Sequence, residues 1–210
     1  MKKLVLLVLI LGLPALVLAS NMGFKAQINK TAGGSNVWWV SFPYFYDPNG
    51  DGSVNSTEVC TDTTNLAGIV AWNASTGKME TFTCGGFSTP FTISKGVSYR
   101  FAGNGTAEIQ WTAVGSHDPS FGHSYTAGGS NVWWVSVPYH WNPTGGVKNA
   151  AAMCSEVTNL AGVVDWNAAT GKTETFTCGG FTTPFTIDVF SGYRFAGNGS
   201  ATITWTPSHY

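Results

Sequence analysis

The chain writes almost the same sequence twice, and this constrains its fold more than any other feature. Residues 31–44, TAGGSNVWWVSFPY, return as residues 126–139, TAGGSNVWWVSVPY, with Phe42 against Val137 as the single difference. Residues 65–93 return as residues 159–187 with twenty-four of twenty-nine positions identical, and YRFAGNG occurs at 99–105 and again at 193–199. The offset is 95 residues at Thr31/Thr126 and 94 at Cys60/Cys154. Such a period is too long for one turn of a solenoid, so each copy is expected to be a domain with its own core. The duplication also supplies an internal comparison. What both copies keep belongs to the module; what only one keeps is an acquired site or drift.

Residues 1–19 carry Lys2 and Lys3, then an uncharged apolar run, then small residues ahead of Ser20. This is the pattern of a secretory signal peptide, with cleavage expected after Ala19. The expected organisation is a signal peptide (1–19), a first module (20–114), a linker (115–120) and a second module (121–210). The expected location is outside the cell or on its surface, with no membrane span after cleavage. Without Lys2 and Lys3 the chain keeps 8 basic against 11 acidic residues, a net charge of −3. That does not suit nucleic-acid binding, which needs a basic face to release counterions. Charged residues make up only 10% of the chain and aromatic residues 14%. A folded chain so poor in charge covers its surface with hydroxyls, amides and rings, which suits contact with sugars or with copies of itself.

The four cysteines fall at matched places, Cys60 and Cys84 in one copy, Cys154 and Cys178 in the other, each pair 24 apart. Of the three pairings, only Cys60–Cys84 with Cys154–Cys178 leaves each copy self-contained, and export favours oxidation. A four-cysteine metal site lacks the close spacing of a zinc knuckle.

Short runs rich in β-branched and aromatic residues predict strands at 36–43, 67–73, 78–84, 89–93, 97–102 and 106–111. In the first of these, alternation sends Val37, Trp39 and Ser41 to one face and Trp38, Val40 and Phe42 to the other. Gly103-Asn104-Gly105 offers the positive φ angles of a tight hairpin. Residues 148–158 read as a short helix carrying Cys154, with a counterpart near 55–63. The expected fold class is all-β: two tandem antiparallel β-sandwich modules, each with one short crossover helix.

The apolar leader, SNMGFK, NVWWVSFPY, the Cys-bearing helix, VAWNASTG and the late PFTI and YRF together resemble a widespread group of secreted bacterial β-domains. That group shows Trp-Val-Ser-x-Pro, then Trp-Asn-x-x-Thr-Gly, then Pro-Phe-x-Ile. The likeness covers nearly the whole mature chain, twice. Its motifs are core and turn residues, so it implies location and fold rather than activity.

One segment has chemistry in it. Residues 47–58, DPNGDGSVNSTE, satisfy the calcium-loop pattern D-x-[DN]-x-[DN]-G-x₅-E in full. A calcium ion takes six to eight oxygens at about 2.3–2.6 Å. Asp47, Asn49 and Asp51 would supply side-chain oxygens, Ser53 its backbone carbonyl, Asn55 a direct or water-mediated contact and Glu58 two oxygens, while Gly52 permits the bend and Val54 anchors the loop inward. A strand enters and only a short helix leaves, which is similar to the calcium loop of dockerin modules used singly. The second copy has HWNPTGGVKNAA here, without a carboxylate, so one calcium ion is expected, in the first copy alone.

The four histidines occupy no matched positions, and the acidic residue identical in both copies is Glu80/Glu174, one per module. One carboxylate per module does not make the pair that glycoside hydrolysis needs, and no G-x-S-x-G elbow is present. Trp72/Trp166 and Trp111/Trp205 read as core. Trp38, Tyr44 and Tyr46, matched by Trp133, Tyr139 and Trp141, read as a surface for a ligand or partner. The expected function is that of an exported non-catalytic protein of the surface or matrix, acting in adhesion or self-assembly into fibres, with the segment from Ser20 to Lys30 as a linking strand. The rival is a carbohydrate-binding protein using those aromatic residues, and an enzyme with a site between the repeats comes third.

Overall fold

Residues 24–30, 36–42, 46–115, 122–125 and 131–208 are described by the computed structural model. The segment expected to be a signal peptide, Tyr44 and residues 116–120 of the expected linker lie outside them. In the first copy β1 (Phe24–Lys30) pairs antiparallel with β6 (Ile109–Gly115). The strands β2 (Val37–Ser41), β3 (Leu66–Asn73), β4 (Lys78–Thr83) and β5 (Ser98–Gly103) form an antiparallel sheet in the order β2-β5-β3-β4. The second copy repeats this. There β7 (His123–Tyr125) pairs with β12 (Ile203–Trp205). The strands β8 (Val132–Ser136), β9 (Leu160–Asn167), β10 (Lys172–Thr177) and β11 (Gly192–Gly197) follow the order β10-β9-β11-β8. The fold is all-β, as the sequence predicts.

Each module closes a core between its larger and smaller sheets. In the first, Val40, Phe42, Ile69, Tyr99 and Phe101 of the larger sheet meet Ile109, Trp111 and Ala113 of β6, all buried. Phe42 lies 4.9 Å from the Trp111 ring and 5.9 Å from that of Phe101. Each such side chain contributes about 1.5–3 kcal/mol by leaving water. The copies fill this space differently. Phe42 and Tyr46 in the first become Val137 and Trp141 in the second, a loss of volume at one position offset by a gain at the other. Both arrangements set the second ring edge-on to the same tryptophan, Tyr46 on Trp111 at 5.4 Å and Trp141 on Trp205 at 6.2 Å. Close-packed interiors tolerate exchanges that conserve total volume.

The helices are α1 (Ser56–Asp62) and α2 (Ala150–Glu156). Asn55 caps α1, accepting from Thr57 N and Glu58 N, while Glu58 returns the bond to the Asn55 N–H. Asn149 caps α2 by accepting from Ala152 N at 2.8 Å, and no return bond forms because Ala152 stands where Glu58 does. Both disulfides form as expected, Cys60–Cys84 and Cys154–Cys178, tying each helix to the end of β4 or β10.

Two local expectations need correction. Residues 89–93 join no sheet; Phe91 O accepts from Ser56 N and Ile93 N donates to Val54 O, so they flank the start of α1 instead. Gly103-Asn104-Gly105 is a corner between sheets and no hairpin, since β5 and β6 pair with different partners. Asn36, at φ 46°, builds that corner: its side-chain amide donates to Gly105 O at 2.6 Å, and its own carbonyl accepts from Gly103 N. A Cβ on Gly103 would collide with that amide, so the glycine is there for close approach as well as for turning. Asn131, Gly197 and Gly199 repeat the arrangement.

The outward faces of the two larger sheets are turned toward each other, and the main hydrogen bonds across them come in matched pairs. Trp72 donates its indole N–H to Val132 O and Trp166 donates to Val37 O, both at 2.7 Å. Ser41 N donates to Phe190 O and Ser136 N to Gly96 O. The Ser41 hydroxyl donates to Ser191 O and that of Ser136 to Val97 O, at 2.6 and 2.7 Å. Between them four indoles run in a row: Trp72, Trp134, Trp39 and Trp166, with successive centroids 6.3, 5.2 and 6.4 Å apart. The pattern is that of an isologous dimer interface inside one chain. It corrects the assignment of Trp72 and Trp166 to the module cores. It also covers β2 and β8, the inner edges of the two sheets, with the other module's backbone.

Candidate functional site

The chain leaves the core at Tyr46, and the next eight residues loop out before Asn55 starts α1. Asp47 organises the first half: Oδ1 accepts from Gly50 N and Oδ2 from Gly52 N, each at 2.8 Å. Gly50 and Gly52 have φ of 76° and 85°, a conformation that glycine adopts without strain. Asp51 Oδ1 accepts from the Ser53 N–H and hydroxyl at 2.9 and 2.8 Å. These bonds, the hydroxyl's foremost, hold the exposed Asp51 carboxyl below the usual carboxylate range. Val54 turns into the core.

The residues expected to bind calcium are partly brought together. Asn49 Nδ2 donates both to Asp51 Oδ2 at 3.0 Å and to Glu58 Oε1 at 2.8 Å. The amide's positive end thus sits where a cation would gather the same two carboxylates. Rotating that amide by half a turn would present a third oxygen donor to the same point, at the cost of the bond its oxygen now accepts from Asp51 N at 3.1 Å. Asp51, one oxygen of Glu58 and the Asn49 amide are the groups a hard cation would use, while both oxygens of Asp47 are taken by the loop's own N–H groups. Two further details differ from the expectation. The Asn55 side chain is committed to capping α1, and Glu58 Oε2 accepts the Asn55 N–H at 2.8 Å. Among the described residues no three His, Cys, Asp or Glu side chains group as a metal-holding cluster. In the second copy a turn closed by Gly146 N to Pro143 O spans the same gap.

The aromatic surface expected from the sequence is not an exposed cluster. Tyr46 and Trp141 are buried, at 6% and 0% exposure, and they finish the two cores. Trp38 and Trp133 are half-buried against those cores, because their alternation places them on the inward face. Tyr139 is half-buried with its ring edge-on to His140 at 5.3 Å. The outward indoles, Trp39 and Trp134, are covered by the opposite module.

Two features escaped the sequence reading. Tyr46 donates to Asp62 Oδ2 at 2.6 Å, and the Trp111 indole N–H donates to the same oxygen at 3.1 Å. In the second copy the Trp141 indole N–H donates to Glu156. Asp62 and Glu156 are thus a second matched acidic pair, visible by comparing charge instead of identity. Burial and the bond to Asp62 push the Tyr46 phenol well above its ordinary value. The second feature is Phe87 and Phe181, identical in both copies and fully exposed at 111% and 108%. A cleft of about 340 Å³ also borders the loop, walled by Phe42, Asp47, Ile93 and Lys95. No protein-family model, curated protein or solved structure matches this chain, so its likeness to secreted bacterial β-domains rests on the quoted motifs alone.

Proposed function

We propose that the protein is an exported, non-catalytic component of the cell surface or extracellular matrix that works by self-assembly or adhesion, with one calcium ion stiffening the first copy. The observation that carries this reading is where the tryptophans are used. They form cores and an internal face, and what remains outside is a low-charge surface with the same features at two places. A molecule with two equivalent faces is bivalent, and bivalency is what chains and avid surface attachment require. The linking-strand idea changes form: Phe24–Lys30 pairs with β6 of its own chain, so it links subunits only by exchange between copies. Carbohydrate binding is the second reading, favoured by the cleft beside the 47–58 loop; the buried rings of Tyr46 and Trp141 count against stacking there.

Size-exclusion chromatography and negative-stain microscopy of mature protein, with and without calcium, test the first reading, followed by a glycan array. Higher oligomers or fibres support assembly. A monodisperse chain that binds a polysaccharide overturns it in favour of the second reading. Calorimetric titration should find one calcium ion per chain, lost in Asp47→Ala with Glu58→Ala; two equivalent ions, or none in folded protein, refute the calcium site.

A further inference from the structure

Every sheet has edges, and the described residues cover only some of them. The inner edges β2 and β8 are capped across the inter-module face, whereas β4 and β10 end their sheets on the outer side. Both are regular six-residue ladders without a bulge or proline, and all but Phe82 and Phe176 are exposed. The bond from Cys84 N to Ala67 O sets the phase of the first ladder. Lys78, Glu80 and Phe82 turn their backbone groups toward β3, and Met79, Thr81 and Thr83 turn theirs outward. Thr83 is already satisfied, its N–H by the Ser88 hydroxyl at 2.9 Å and its carbonyl by Gly86 N at 3.0 Å. Met79 and Thr81 stay open among the described residues. The bond from Cys178 N to Ala161 O phases β10 the same way, leaving Thr173 and Thr175 open, with Thr177 O taken by Gly180 N.

We infer that β4 and β10 are docking edges for a second copy of this chain, joined antiparallel, edge to edge. Charge complementarity selects the partner and the register. The strands read Lys78-Met79-Glu80 and Lys172-Thr173-Glu174. In antiparallel register Lys78 faces Glu174, Met79 faces Thr173 and Glu80 faces Lys172. Met79 and Thr173 then exchange backbone hydrogen bonds, and the two ion pairs fall at the flanking positions, where side chains are closest. Sliding the pairing by two residues sets Glu80 against Glu174, so the register is specified by repulsion as well as attraction. The same Lys-x-Glu pattern makes β4 complementary to β4 and β10 to β10, so any combination of edges propagates. Lysine on an edge ordinarily discourages pairing; here each lysine has its counter-charge two residues away on the same face. Phe87 and Phe181, just beyond the strands on turns pinned by the disulfides, give the contact apolar surface to bury. Two such edges per molecule build an open chain of molecules.

This inference rests on the assembly reading, and a charge-swap experiment separates the two. The mature chain is made as wild type, as Glu80→Lys with Glu174→Lys, and as Lys78→Glu with Lys172→Glu. Sedimentation velocity and negative-stain microscopy follow each protein alone and the two variants mixed. Wild type should form chains. Each variant alone sets like charges opposite one another at both pairs and should need about tenfold more protein to assemble, while the mixture should regain wild-type behaviour. As a second variant, Met79→Pro with Thr173→Pro removes outward N–H groups without touching the inner ladder, and should block assembly while circular dichroism and both disulfides stay native. Wild type that assembles while all variants assemble equally well overturns the docking edges and leaves assembly standing. Wild type that stays monomeric overturns both.

Discussion

Tyr46, Tyr99 and Tyr193 carry phenols that burial pushes above their ordinary 10.0, aided at Tyr46 by the bond to Asp62 and at Tyr193 by the charge of Asp165. Because each folded value lies above the unfolded one, the stabilising contribution is fully present below pH of about 10 and is lost as pH rises beyond it. We expect these three tyrosines to ionise only as the protein unfolds. Tyrosinate absorbance and near-ultraviolet circular dichroism should therefore change together above pH of about 10; ionisation of all seven tyrosines ahead of any loss of dichroism would contradict the buried placement. At this scale the sequence was legible where one residue type has one use. Asn149 as a cap and Gly52 as a bend act as their types suggest. It was illegible where a side chain's value depends on distant partners. Nothing local says that Asp62 serves Tyr46 and Trp111, or that Asn36 reaches the backbone seventy residues away.

Among the elements, α1 and α2 are too short to persist alone, since isolated helices of this length are marginal even with good caps. Each is held by a buried apolar residue, Val59 or Met153, and by its disulfide. Replacing Cys60 and Cys84 by serine should therefore cost the first module roughly 3–4 kcal/mol by the chain-entropy argument. Denaturant unfolding of that variant checks this, and an unchanged midpoint would mean that the bond adds nothing to the packed helix. Hairpins β3–β4 and β9–β10 could be read from alternation plus a turn ending in glycine. The corner at Gly103 could not, because a Gly-Asn-Gly run supplies the same positive φ to a hairpin and to a change of sheet. What decides is the Asn36 side chain, far away in sequence. The 89–93 segment failed for a related reason: alternation marks it as extended but does not say whether a ladder receives it.

The whole molecule is governed by the face between the modules. Trp134 is buried there, stacked on Trp72 and tilted against Trp39. Trp134→Ala should cost roughly 3–5 kcal/mol and divide thermal unfolding into two calorimetric transitions as the modules lose their coupling. A single transition at the original temperature would show that the row of indoles couples nothing. The sequence revealed two copies and the direction each tryptophan faces, but not that one copy's outward face would be the other's partner. Self-complementarity belongs to three dimensions. It also bears on the history of the gene. Near the pseudo-two-fold axis Trp39 packs on its own counterpart, Trp134, at 5.2 Å, while Phe42 N donates to the Ser136 hydroxyl and Val137 N to that of Ser41. A change in one copy there alters the surroundings of its twin, so neither is free to drift without the other. Away from the axis, the 47–58 loop has no such twin across a seam, and there the two copies have parted, one gaining carboxylates and the other none. Across the seam, each half of the protein is part of the other's surroundings, and a change there is felt twice.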